Sequence, residues 1–174
     1  YKLKCAINSN VSDDIHIINV EQVEDDFHAR YMVSEKKYIY KLNMGEFDVL
    51  QKDFIYQYNH QLDISKMKEG IKYFIGEHNF KNFVSNSVIK DSYVRIIYDA
   101  YIEISNNIIN FVFIGNGFMQ YQVRNMVGTL IKVGKNKIES KEIKYILEDE
   151  EKKNLVYCAP ALGLCLERVK YEKK

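Results

Sequence analysis

Proline is nearly missing from this chain, with Pro160 alone among 174 residues. No Gly/Ser-rich stretch, repeat or long charge run breaks the sequence either, which excludes an internal flexible linker. No apolar run approaches the ~18 residues that a membrane-spanning helix needs, and no basic-then-apolar leader opens the chain. Neither membrane insertion nor secretion is expected, and the chain reads as cytoplasmic. The three cysteines, Cys5, Cys158 and Cys165, are odd in number and lack C-x-x-C spacing. His16, His28, His60 and His78 are scattered, with no pair at helical i, i+4 spacing. A zinc site is therefore not expected, and the cysteines read as reduced, partly buried thiols. Arginine is also scarce: only Arg30, Arg95, Arg124 and Arg168 occur among 25 basic residues. Each invites the question of what lysine could not do there, such as bidentate pairing or planar stacking.

What remains is ordinary for a globular domain, with 47% apolar and 28% charged residues and a net charge of +1. Near-neutrality neither requires nor excludes nucleic acid, because local patches matter more than totals. The residue pattern predicts strands at 16–23, 36–44, 54–58 and 164–171. It also predicts a hairpin of 93–104 with 108–114 around Ser105-Asn106-Asn107. A helix capped by Asp63 carries Ile64, Met67, Ile71 and Phe74 until Gly76 stops it. A second, from about Met119 to Gly134, aligns Val123, Met126, Val127, Leu130 and Ile131 on one stripe. Ser140 is expected to cap a short third helix through Glu148. Strands joined by hairpins as well as helices indicate an α+β domain with a mixed, mainly antiparallel sheet.

The stretch DDFHARYMVSEKKYIY (25–40) places an apparently buried DFHAR turn ahead of a strand. Alternation puts Tyr38 and Tyr40 on one face and Lys37, Ile39 and Lys41 on the other. An aromatic ring flanked by lysines on a stiff strand suits the stacking of a nucleobase beside its phosphates. A half-buried strand with a wet lysine edge fits the same letters. The segment resembles the D-F-H-A-R element and basic Y-x-Y strand of the tRNA pseudouridine synthase A family. The resemblance extends over nearly the whole chain. GFMQYQVRNMVG (117–128) is similar to the family's F-x-x-x-x-V-R-N-x-V-G helix, with Arg124 at its arginine. FIGEHNFKNF (74–83) resembles G-x-H-D-F-x-x-F, with Asn79 in place of the aspartate, Phe80 and Phe83 as core, and His78 as a hydrogen-bonding residue. APALGLCLERVKY (159–171) resembles the closing A-P-x-G-L-x-L-x-x-V-x-Y.

The resemblance implies a pseudouridine synthase fold, in which helices back a mixed sheet and RNA lies across the other face. It implies that a uridine in the anticodon stem-loop of tRNA is flipped out and its glycosidic bond is broken with help from an aspartate. The uracil then rejoins the ribose through C5, with no metal or organic cofactor. Tyr38 would stack on the uracil, and Arg124 would pair with the aspartate through a permanently charged guanidinium. Gly163 and Leu164 would wall the base. Lys36, Lys37 and Lys41 would contribute to the tRNA surface of a homodimer. Arg30 and Arg95 would touch RNA or serve structural salt bridges. The family's catalytic aspartate lies in a G-R-T-D-x-G-V-H-A motif, and no such string occurs in these residues. Asp14, in a turn, and Asp25 and Asp26, bracing DFHAR, do not replace it. Residues 1–174, which open on Tyr1 rather than methionine, are thus expected to be the C-terminal part of such an enzyme, inactive alone. A non-catalytic RNA-binding module on the same scaffold, or a protein-interaction domain, are the rival readings.

Overall fold

The computed structural model of the chain describes residues 2–85 and 91–172. It forms two compact units, Tyr1–Met32 and Val33–Lys174. In the first, helix α1 (Lys2–Asn8) leads into an extended segment. The strand expected at 16–23 is not formed, because the segment finds no neighbouring strand. Its one backbone partner there is the Asn8 amide, which accepts from Ile17 N (2.7 Å) and donates to Ile17 O (3.0 Å). A single side chain can mimic one rung of a ladder but cannot propagate it. The DFHAR turn closes through Tyr31 N and Met32 N donating to His28 O (3.1 and 3.0 Å). Contrary to expectation it is exposed, with only Phe27 partly covered.

The second unit is built on a six-stranded sheet, in the order β2 (Tyr56–Gln57), β1 (Val33–Asn43), β5 (Ile108–Gly115), β4 (Val94–Ser105), β3 (Gly76–Asn79). The sixth strand, β6 (Leu164–Tyr171), pairs with β1 beside β2. Only β1–β2 is parallel, so the sheet is mainly antiparallel as expected. Asn106 and Asn107, at φ 49° and 66°, make the tight β4–β5 turn. Both sit in the left-handed region that asparagine tolerates and two-residue hairpins require. The strand expected over 54–58 shrinks to two residues. Asp48 instead caps a short turn at Val49–Gln51, its carboxylate accepting from Leu50 N (2.9 Å) and Gln51 N (3.3 Å).

Helices α2 (Ile64–Gly70), α3 (Gln122–Gly134) and α4 (Glu142–Glu148) cover the sheet. Asp63 caps α2 as predicted, accepting from Lys66 N at 3.1 Å, and Gly76 at φ 109° turns the chain into β3. The α3 stripe Val123, Met126, Val127, Leu130 and Ile131 is buried against Tyr40, Leu42, Phe111 and Phe113 of the sheet. Phe80 and Phe83 join this core. Ser140 does not cap α4: its hydroxyl donates to Lys66 O (3.2 Å) and the Glu69 carboxylate (3.1 Å), tying the loop to α2. Among the described residues no helix is long and apolar enough to cross a membrane. Cys5 and Cys165 are exposed, and only Cys158 is partly covered.

One close approach fixes how the chain closes. A Cβ on Gly128 would lie 2.0 Å from Tyr157 O and 2.9 Å from Ala159 N, so the 157–159 segment lies directly on the α3 backbone. Backbone atoms on both sides leave no flexible group to yield. The Gly128→Ala protein is therefore expected to lose about 3 kcal/mol of stability, read as a fall in urea midpoint at unchanged m value. Retention of the native midpoint would show that the two segments can separate freely.

Candidate active site

A cleft of about 430 Å³ opens beside the start of α3. Tyr38 of β1, Phe118 to Arg124, Ala161 and Leu164 line it. This volume lies within the roughly 300–1,000 Å³ of small-molecule sites. The cleft lies on the helix-covered side of the sheet, since Tyr38 shares its strand face with buried Tyr40 and Leu42.

Tyr38 stands half-buried, edge-on to Phe118 with ring centroids 5.1 Å apart at 76°. The strand beside it carries an irregularity that the letters do not show. Lys37 pairs with Arg168 but Tyr38 with Leu166, so Glu167 is an extra residue on β6. Such a bulge bends the strand and re-aims side chains. Glu167 then pairs with Lys37 at 3.4 Å, on the face turned away from Tyr38. Burial raises the Tyr38 pKa above its ordinary 10.0, so the phenol stays neutral and keeps its hydroxyl proton.

Arg124, two residues into α3, is held from both sides. Its Nε donates to Ala159 O (2.7 Å), and its backbone carbonyl accepts from Ala159 N (3.0 Å). The guanidinium lies 4.9 Å from the ring centroid of Tyr121, a cation–π contact. Tyr121 itself is at φ 65°, a costly conformation for a large side chain and one that clusters at functional sites. Among the described residues Arg124 enters no ion pair. A rigid, unneutralised guanidinium in an aromatic cleft can hold a carboxylate or phosphate by two parallel bonds. Beside it Gln122 is fully buried. Its Oε1 accepts from Met119 N (2.9 Å) while its Nε2 has no partner.

Tyr40, adjacent on the same face, is wholly buried, and its hydroxyl donates to Pro160 O at 2.8 Å. A Cβ at Gly163 would sit 2.4 Å from Lys41 O and 2.8 Å from the Tyr40 ring. Only glycine lets this loop lie flat on β1. Leu164 therefore faces the cleft, whereas Gly163 packs behind it and is not among the lining residues. The letters do not mark Tyr40 as the loop's anchor; its i, i+2 spacing from Tyr38 is the signal they carry.

Apart from Arg124, the basic residues are not brought into this lining. Lys36 is half-buried in the sheet opposite Gly115 and Val169. Lys41 is exposed, and Arg168 and Lys170 both pair with Glu35 (3.1 and 2.9 Å). Arg95 donates to Val94 O (2.6 Å) and lies beside the Gly117 turn that leads to Phe118. Part of the Ser-rich loop before Arg95 falls outside the described residues. Arg30 belongs to the first unit, its guanidinium 5.8 Å from the Tyr31 ring centroid. His78 Nε2 donates to Ile75 O (2.9 Å), a structural bond.

Residues 71–172 match the family model described as tRNA pseudouridine synthase. A relative from Clostridium perfringens (strain 13 / Type A), tRNA pseudouridine synthase A 2, is 43% identical over 169 residues, covering 97% of this chain and 69% of the relative. The chain belongs to the tRNA pseudouridine synthase family. The tRNA pseudouridine synthase A of Clostridium acetobutylicum is 38% identical, covering 98% of this chain and 70% of the relative. A Bacillus cereus (strain ATCC 14579) relative, tRNA pseudouridine synthase A 1, is also 38% identical, over 95% of this chain and 68% of the relative. The family match includes α3 with Arg124 and the 159–164 loop, but begins after β1 with Tyr38. The relatives' coverage takes in nearly all of the chain.

Burial raises the Tyr40 pKa well above 10.0, with a further upward push from Tyr56. A raised folded-state value means that the neutral phenol's contribution is fully present below the unfolded pKa of about 10 and is lost as pH climbs above it. Urea midpoints of this family member are expected to drop more steeply above about pH 10 than those of Tyr40→Phe. Parallel curves would remove Tyr40 ionisation as a destabilising event.

Proposed function

We propose that this chain serves the isomerisation of uridine to pseudouridine in the anticodon stem-loop of tRNA, with the cleft at the start of α3 as the uracil site. One observation carries the proposal: Tyr38, Leu164 and Arg124, far apart in sequence, line a single cleft. In it the extruded uracil stacks on Tyr38 against the aliphatic wall of Leu164, which offsets part of the few kcal/mol spent on flipping. Water is excluded from one ring face, and the neutral phenol adds no charge that would repel the polyanion. Arg124, braced by Ala159, orients the aspartate that acts on the glycosidic bond and keeps it ionised. The bond from C1′ to N1 breaks, the uracil turns, and a bond from C1′ to C5 replaces it; the C5 proton is lost and N1 takes up a proton, so the product is an isomer of the substrate.

The lining contains no carboxylate. The purified chain alone is therefore expected to release no tritium from tRNA labelled at uridine C5, and release would overturn the assignment of roles. The same lining admits a non-catalytic RNA-binding module. A G-R-T-D-x-G-V-H string encoded upstream of Tyr1 in the gene selects the enzyme, and its absence selects the module. Under either reading tRNA affinity falls as salt rises. Tyr38→Ala is expected to weaken binding by about 1–3 kcal/mol, the worth of one stacked base, in a filter assay at fixed salt. Binding unaffected by that substitution would place the base elsewhere. Cytoplasmic residence and a homodimer that shares tRNA between the basic surfaces of its subunits complete the proposal, supported by the family resemblance. Sedimentation of the whole enzyme measures the assembly.

A further inference from the structure

A second aromatic group lies on the far side of the loop that walls the cleft. Tyr56 and Tyr58 sit at alternate positions at the end of β2, with ring centroids 5.9 Å apart. His60 stands edge-on to Tyr58 at 5.5 Å. Lys135, just past the end of α3, places its ammonium 4.8 Å from the Tyr58 ring centroid. Tyr157 completes the group: it is 49% exposed and close enough to Tyr56 for the two hydroxyls to influence each other. Core packing accounts for the inner faces of Tyr56 and Tyr58. It does not account for the exposed His60, Lys135 and half-exposed Tyr157.

Two features point to a ligand class. Among the described residues Lys135 enters no ion pair, so its charge rests over a ring rather than against a carboxylate. The group is also continuous with the cleft. Tyr157 opens the loop whose Ala161 and Leu164 line the cleft, and β2 packs against the turn at Ala161–Gly163. A nucleotide held in the cleft is covalently joined to its neighbours, and on this side they meet rings and a free ammonium. Aromatic rings with an interleaved cation are the general means of holding single-stranded nucleic acid without reading its sequence.

We propose that Tyr157, His60 and Lys135, supported by Tyr56 and Tyr58, bind the RNA strand that continues from the nucleotide in the cleft. Tyr157 and His60 stack on unpaired bases, and Lys135 neutralises a phosphate. The proposal rests on the uracil-site reading of the cleft and deepens it, because it assigns the path of the flanking strand.

Photo-crosslinking of the chain to an anticodon stem-loop RNA tests it, with 5-iodouridine placed in turn at the target and at each flanking loop position. Adducts are located by mass spectrometry of tryptic peptides. Adducts at Tyr157, Tyr58 or His60 from flanking positions, with Tyr38 labelled from the target position, are expected. Labelling at Tyr38 without any in the second group overturns the strand path and leaves the uracil site standing. Labelling at neither overturns both. Lys135→Gln supplies an independent readout: the slope of log affinity against log salt should fall by about 1 with the thermal midpoint unchanged. An unaltered slope removes Lys135 from the phosphate contacts.

Discussion

The hydrogen bond from Tyr40 to the Pro160 carbonyl is the contact on which the site depends. It joins the central strand to the loop that closes the cleft, and it does so from inside the core. A buried phenol must satisfy its hydroxyl, so the loop cannot lift without orphaning that group. Gly163 flattens the loop against the same ring, and Leu164 is thereby presented to the cleft. The sole proline adds to this stiffness at the position that supplies the acceptor.

Arg124 is fixed by the same loop from the other side. Two bonds to Ala159, one from its side chain and one to its backbone carbonyl, join the first turn of α3 to residues just before Pro160. Gly128 permits the approach one turn further on. Sheet, loop and helix therefore meet at residues 157–164, and each contributes one wall or anchor. Pre-organisation of this kind spares a guanidinium the entropy of finding its geometry.

Much of this was legible in the letters. The α3 stripe, the Asn-Asn hairpin, the Asp63 cap and the final strand follow from periodicity, turn chemistry and capping, which are local effects. What escaped was non-local. Residues 16–23 have strand-like composition but no partner strand, and composition cannot reveal a missing neighbour. Ser140 looks like a cap by spacing, yet Glu69 and the Lys66 carbonyl claim its hydroxyl from another helix. Family resemblance marks Tyr38, Arg124 and Leu164. Their meeting in one cleft is a property of the packing, as is the retreat of Gly163 behind its neighbour. Lys37 is expected on a wet lysine edge, and the extra residue in β6 brings Glu167 to it.

That extra residue has a consequence for tolerance to change. Along β1 aromatic and basic side chains alternate, so the strand has two chemically opposite faces. A shift of pairing by one residue exchanges them entirely, sending lysines into the core and tyrosines to solvent. The bulge at Glu167 is one of two irregularities in the β1–β6 pairing, the other lying between Val33 and Glu35. Because β1 is also paired with β5 without a break from Lys36–Gly115 to Asn43–Ile108, a single-residue deletion within 165–169 would move β6 side chains from one face of the sheet to the other and leave the two faces of β1 in place.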